Sequence, residues 1–70
     1  MFKDKLKQLR LDKGVTQADI ANAIGVSPAT IGNYEQGTRE PRNNTMWQKL
    51  ADYFGVSVDY LMDKTETSYV

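Results

Sequence analysis

Apolar residues along the chain fall in short clusters that repeat at helical spacing, with no run that alternates as a strand does. Phe2, Leu6 and Leu9 sit three and four apart with lysines between them, which predicts an amphipathic helix from about Phe2 to Lys13. Gly14 stops it as a C-terminal glycine cap. Thr16 caps a second helix, with Asp19 in its first turn, where an acidic group suits the helix dipole. Ile20, Ala21 and Ile24 form its apolar stripe, and Gly25 ends it.

Val26 bridges to Ser27-Pro28, a strong start signal: serine caps, and proline fits a first helical position that needs no amide donor. The third helix runs to about Gln36 with Ile31 and Tyr34 inward, and Gly37 closes it. A polar loop, Thr38 to Asn43, contains Pro41. The fourth helix, about Asn44 to Phe54, carries a wide apolar face of Met46, Trp47, Leu50, Ala51 and Phe54 and closes at Gly55. Ser57 caps a short fifth helix, Val58 to Met62, with Tyr60 and Leu61. The segment 63–70 reads as a polar, flexible tail. Five short helices joined by tight connections predict one all-α domain over 1–62.

The length is that of a single domain, 70 residues, which buries only about 60% of its unfolded surface. With no cysteine and no histidine, neither a disulfide nor the commonest metal ligands and general base are available, so stability must come from helix packing. No apolar run approaches a membrane span, and the basic start leads into an amphipathic segment instead of a signal core, so a cytoplasmic location is expected. Nine basic and nine acidic residues cancel, with a pI of about 6.1. The distribution is uneven: Met1 to Gly14 holds five cations against two carboxylates, and Asn44 to Val70 two against four. One end suits phosphate and the other repels it, although an ordinary solvated surface explains the same counts.

The informative stretch is Gln17 to Tyr34, two helices separated by Gly25, Val26 and Ser27. Two helices crossing steeply over so short a turn need a small residue at their contact, and Ala21 supplies it. Ile20, Ile24, Val26, Ile31 and Tyr34 form the shared core, which leaves the other face of the third helix free to enter a major groove.

On these residues the chain resembles the Cro/cI-type (XRE) helix-turn-helix family, whose fold is the compact five-helix lambda-repressor-like domain. The matching residues are Leu6-Lys7-Gln8-Leu9-Arg10, Gly14-Val15-Thr16-Gln17, Ile20-Ala21, Ile24-Gly25-Val26-Ser27, Thr30-Ile31, Tyr34-Glu35-Gln36-Gly37, Pro41, Leu50-Ala51 and Phe54 through Leu61. The resemblance implies that the third helix reads bases and that dimers occupy operators with half-sites about one DNA turn apart. It implies a phosphate contact for Gln17 at the start of the second helix. Ser27, Pro28, Ala29, Thr30, Gly32 and Asn33 then fall on the groove-facing side, and Gln36, Thr38, Arg39 and Arg42 track the backbone. It also implies a partly buried ion pair between Arg10 and Glu35.

Several of these positions depart from a strong reader. Pro28 has no side-chain donor and reads first as a helix starter. Ala29 offers only methyl contact to thymine, and Gly32 has no side chain and costs a helix about 1 kcal/mol relative to alanine. Asn33 suits a bidentate contact with adenine, and Thr30 a weaker one. Trp47 belongs with the core, while the fourth and fifth helices, through Trp47, Val58 and Tyr60, offer a small self-contact for a homodimer.

Binding, not catalysis, is therefore the expected activity: there is no phosphate-cradling glycine loop and no convincing carboxylate pair, and no cofactor or small-molecule substrate is implied. The leading reading is a small transcriptional regulator that occupies a double-stranded DNA operator, like the Cro-like products of temperate phages. The alternative keeps the fold but acts on a partner repressor protein, as an antirepressor, which the neutral charge and small-residue reading face would suit.

Overall fold

A computed structural model of the protein describes residues 1–64. Its elements are α1 (Phe2–Lys13), α2 (Gln17–Ile24), α3 (Pro28–Gln36), α4 (Asn44–Phe54) and α5 (Val58–Leu61), with no strand among the described residues.

Side-chain caps set the starts of the last four helices. Thr16 and Asp19 form a reciprocal capping box: Thr16 Oγ1 accepts from the Asp19 amide at 3.0 Å, and Asp19 Oδ2 accepts from the Thr16 amide at 2.9 Å. Asn43 Oδ1 accepts from the Met46 amide at 2.9 Å and Ser57 Oγ from the Tyr60 amide at 3.0 Å. Gly25, at φ 81°, makes the reversal between α2 and α3 in a left-handed conformation that other residues adopt at a cost of about 1–2 kcal/mol.

α5 stops at Leu61, one residue before the expected end. No glycine follows to make the left-handed exit; Asp63 makes it instead, at φ 66°. Its amide donates to Tyr60 O at 3.0 Å, and the Lys64 amide to Asp59 O at 2.8 Å. Asp63 and Lys64 thus close the last turn of α5, while residues 65–70 of the expected tail lie outside the described residues.

α3 packs against α2 and α1, α2 against α4, and α5 closes on α4 and α1. Leu6, Ile20, Ile31, Leu50 and Leu61 are fully buried, each contributing about 1.5–3 kcal/mol of transfer free energy. Ala21 is also fully buried, which is the small contact that the α2–α3 crossing requires. Phe2 stacks edge-on against Trp47, ring centroids 4.5 Å apart, and lies 6.1 Å from the Tyr34 ring.

That stack corrects one expectation. Trp47 is buried and committed to Phe2, so it offers no side chain to a second copy. Tyr60 is half-buried beneath Lys5, whose Nζ lies 4.1 Å from the ring centroid. No helix among the described residues is long and apolar enough to cross a membrane.

Candidate nucleic-acid interface

α3 divides its residues by facing. Ile31 and Tyr34 are buried in the core, whereas Ser27, Pro28 and Ala29 are exposed and Thr30, Gly32 and Asn33 are half-buried. Ser27 Oγ accepts from the Thr30 amide at 3.3 Å and lies 3.0 Å from Thr30 Oγ1, so the two hydroxyls bond to each other at the helix start. The Asn33 carboxamide forms no hydrogen bond among the described residues, while its backbone oxygen accepts from the Gly37 and Thr38 amides and from Thr38 Oγ1.

The segment after α3 brings a second set together. Gln36, Thr38, Arg39 and Arg42 are all exposed, and buried Pro41 pins the loop between the two arginines. A cleft of about 260 Å³ separates this loop and the start of α4 from the second half of α3, with Asn33, Tyr34, Arg39 and Arg42 on its wall. Burial raises the Tyr34 hydroxyl pKa above its ordinary value, and the positive charges of Arg42 and then Arg39 pull the other way. Both guanidiniums therefore act at the rim of the cleft.

Away from the exposed side of α3 lies a polar cluster that ties three elements together. Arg10 of α1 grips Glu35 of α3 with two bonds, Nε to Oε2 at 2.7 Å and Nη2 to Oε1 at 3.2 Å. Its Nη1 also donates to Val15 O in the α1–α2 connection at 3.3 Å. Gln17 completes the cluster, its Nε2 donating to Glu35 Oε1 at 3.2 Å. The Gln17 amide that the resemblance assigns to a phosphate thus spends one of its two N–H groups on Glu35, a bond that spacing along the chain does not reveal. Gly32 lies beside Gln17, but a methyl built there would meet Gln17 Oε1 at 3.5 Å, an ordinary contact, so no residue type in the sequence marked this bond.

The predicted residues thus fall into two adjoining exposed patches, the start of α3 and the Gln36–Arg42 segment, with Arg10, Glu35 and Gln17 joined behind them. A helix held from one side by α1 and α2, with its other side open, is the arrangement of a helix-turn-helix. The helix-turn-helix family model matches residues 6–61. The chain belongs to the helix-turn-helix family.

This helix-turn-helix domain is 38% identical over 68 residues to the cryptic phage CTXphi transcriptional repressor RstR of Vibrio cholerae, covering 97% of the chain and 60% of that relative. It is 36% identical over 69 residues to YonR, an SPbeta prophage-derived HTH-type transcriptional regulator of Bacillus subtilis, covering 99% of the chain and 63% of the relative. The chain therefore spans about three fifths of the length of these curated relatives. Among solved structures it is similar to the P22 c2 repressor protein in complex with a synthetic operator, with a TM-score of 0.86 at 25% identity, covering 93% of this chain and 97% of that one.

Proposed function

We propose that this helix-turn-helix domain binds operator DNA and regulates transcription by occupying it, without catalysis. The observation that carries the reading is the division of α3: Ile31 and Tyr34 hold it in the core while Ser27, Pro28, Ala29 and the unpaired Asn33 carboxamide stay on its accessible side. α3 enters the major groove, and Arg39 and Arg42 meet the flanking phosphates. The named relatives are transcriptional repressors and regulators, and the P22 c2 repressor was solved on an operator, which supports the same use here.

Overall charge does not oppose this reading, because phosphate meets the local field of the loop, where Arg39 and Arg42 outnumber Glu40. A homodimer, one copy per half-site and half-sites about one DNA turn apart, is the assembly this docking favours. A cytoplasmic location follows from the DNA partner.

The test is a salt series. The protein alone is titrated onto the promoter DNA beside its own coding region, with unrelated duplex as competitor. Sequence-selective binding whose log K falls with log salt by about 0.9 per neutralised phosphate supports operator occupancy. Binding only in the presence of a second repressor would replace direct occupancy with action on that partner.

A further inference from the structure

We infer that the cleft between the second half of α3 and the loop before α4 is a binding site for a small free phosphate anion, with the Tyr34 hydroxyl as a donor at its base. The inference goes beyond the operator reading and does not depend on it.

Tyr34 belongs to the core by its ring, which lies 6.1 Å from that of Phe2, and the residue is only 6% exposed. Its hydroxyl nevertheless forms no hydrogen bond among the described residues. Every fully enclosed side-chain nitrogen or oxygen there has a partner. The hydroxyl is therefore not enclosed, and it meets the cleft whose wall Tyr34 helps to form. A polar group this deep in a fold ordinarily has a partner, because leaving the bond unmade costs free energy. The chain itself supplies none. Burial raises the hydroxyl pKa, so the group keeps its proton near neutral pH and acts as a donor.

The rest of the lining suits an anion. Arg42 and Arg39 are exposed, and both stand near enough to Tyr34 to oppose the effect of burial on its pKa. The unpaired Asn33 carboxamide is on the same wall. Asn43 caps α4 through Oδ1, and the N-terminus of that 11-residue helix adds a partial positive charge. Glu40 also lines the cleft and opposes an anion, so the two guanidiniums leave one positive charge in excess. At about 260 Å³ the cleft is smaller than the roughly 300 Å³ at which ordinary small-molecule sites begin, so it fits a compact ion. Tyr34 is buried and the two arginines are exposed, so the hydroxyl is recessed behind them. A duplex phosphate, flanked by its sugars, meets the rim, whereas a free phosphate reaches the hydroxyl.

The experiment titrates inorganic phosphate into the DNA-free protein, with sodium chloride holding the ionic strength constant, and follows amide and tyrosine ring signals by NMR. Saturating shifts are expected at Asn33, Tyr34 and Arg42. Tyr34→Phe should weaken binding about tenfold or more, the loss of one hydrogen bond to a charged group. The hydroxyl has no partner within the fold, so a purely structural Tyr34 would leave the phosphate affinity of this variant unchanged; its Tm checks that the fold is kept. Glu40→Gln removes the opposing charge and should tighten binding. Shifts that grow linearly with phosphate, or an affinity unmoved by Tyr34→Phe, overturn the inference. If free phosphate does not bind but Tyr34→Phe weakens binding to the operator, the cleft takes a backbone phosphate of the duplex; the free-anion site is then rejected while the operator reading stands. Failure of the operator reading would leave this titration untouched, because it contains no DNA.

Discussion

Arg10 and Glu35 join the first and third helices through a bidentate pair whose side chains are only 16% and 5% exposed, with the shorter contact 2.7 Å. α3 is the helix proposed to read the operator, and this pair ties it to α1 in the body of the domain. Removing one partner strands a charge. For a buried pair the loss is about 3–5 kcal/mol, and the residual exposure of Arg10 brings it to about 2–4. A chain of 70 residues has a total stability of only about 3–10 kcal/mol, so the effect is large. Arg10→Met should shift the urea midpoint far more than Lys7→Met, since Lys7 is exposed and has no ion-pair partner among the described residues. The double variant Arg10→Met/Glu35→Leu should recover most of the loss. Equal midpoints for the two single variants would remove the pair from the account of the fold.

Gly32 sits in the middle of α3 with an ordinary helical backbone, and a methyl there would rest 3.5 Å from Gln17 Oε1, a normal contact. Neither conformation nor space requires glycine. G32A should therefore stabilise the domain by about 1 kcal/mol through helix propensity alone. For a domain of this size that is a rise in Tm of about 4–8 °C, readable by circular dichroism. A fall in Tm would mean that Gln17 cannot give way and that its bond to Glu35 depends on the gap.

What the sequence made legible was local. Thr16 with Asp19, Ser27 with Pro28 and the glycines after each of the first four helices act within a few residues of themselves, so spacing alone reveals them. The end of α5 was misplaced by one residue because Asp63, not a glycine, makes the exit. The site was legible as a set of positions but not as a set of available atoms. That Thr30 uses its hydroxyl on Ser27, or that Gln17 bonds to Glu35 across 18 residues, depends on how α2 and α3 dock. No periodicity encodes that. The cluster of Lys5, Tyr60 and Asp63 spans the chain and was equally invisible, as was the buried Pro41 that holds Arg39 and Arg42 apart.

Tyr34 reports on those arginines. Its hydroxyl pKa is raised by burial and held back first by Arg42 and then by Arg39. Arg42→Gln should let it rise further, and by more than Arg39→Gln does. Phosphate neutralises both guanidiniums, so DNA binding should move it in the same upward direction. A pH titration of the labelled tyrosine ring carbons by NMR follows each case. No response to Arg42→Gln would place that guanidinium away from the cleft, and its proposed phosphate contact would lose its geometric support.

Asp63 gives the fold a pH dependence of definite sign. Its carboxylate takes a hydrogen bond from the Met1 ammonium and lies 3.6 Å from Lys5 Nζ, whose ammonium also covers the Tyr60 ring. The bond and charge of the Met1 ammonium, then Lys5, hold its pKa below the ordinary 3.8. A carboxylate with a lowered folded-state pKa binds fewer protons when folded, so its contribution is complete above about pH 4 and disappears as pH falls through the lowered value. Asp63→Asn removes the charge yet suits the left-handed backbone at that position, so it adds no new strain. The variant should be less stable than the parent near neutral pH, and the two should converge in strong acid. Because the group is exposed, high salt should also narrow the difference. Thermal melts over an acid-to-neutral series decide it: a gap independent of pH would mean that Asp63 acts through its backbone turn and not through its charge.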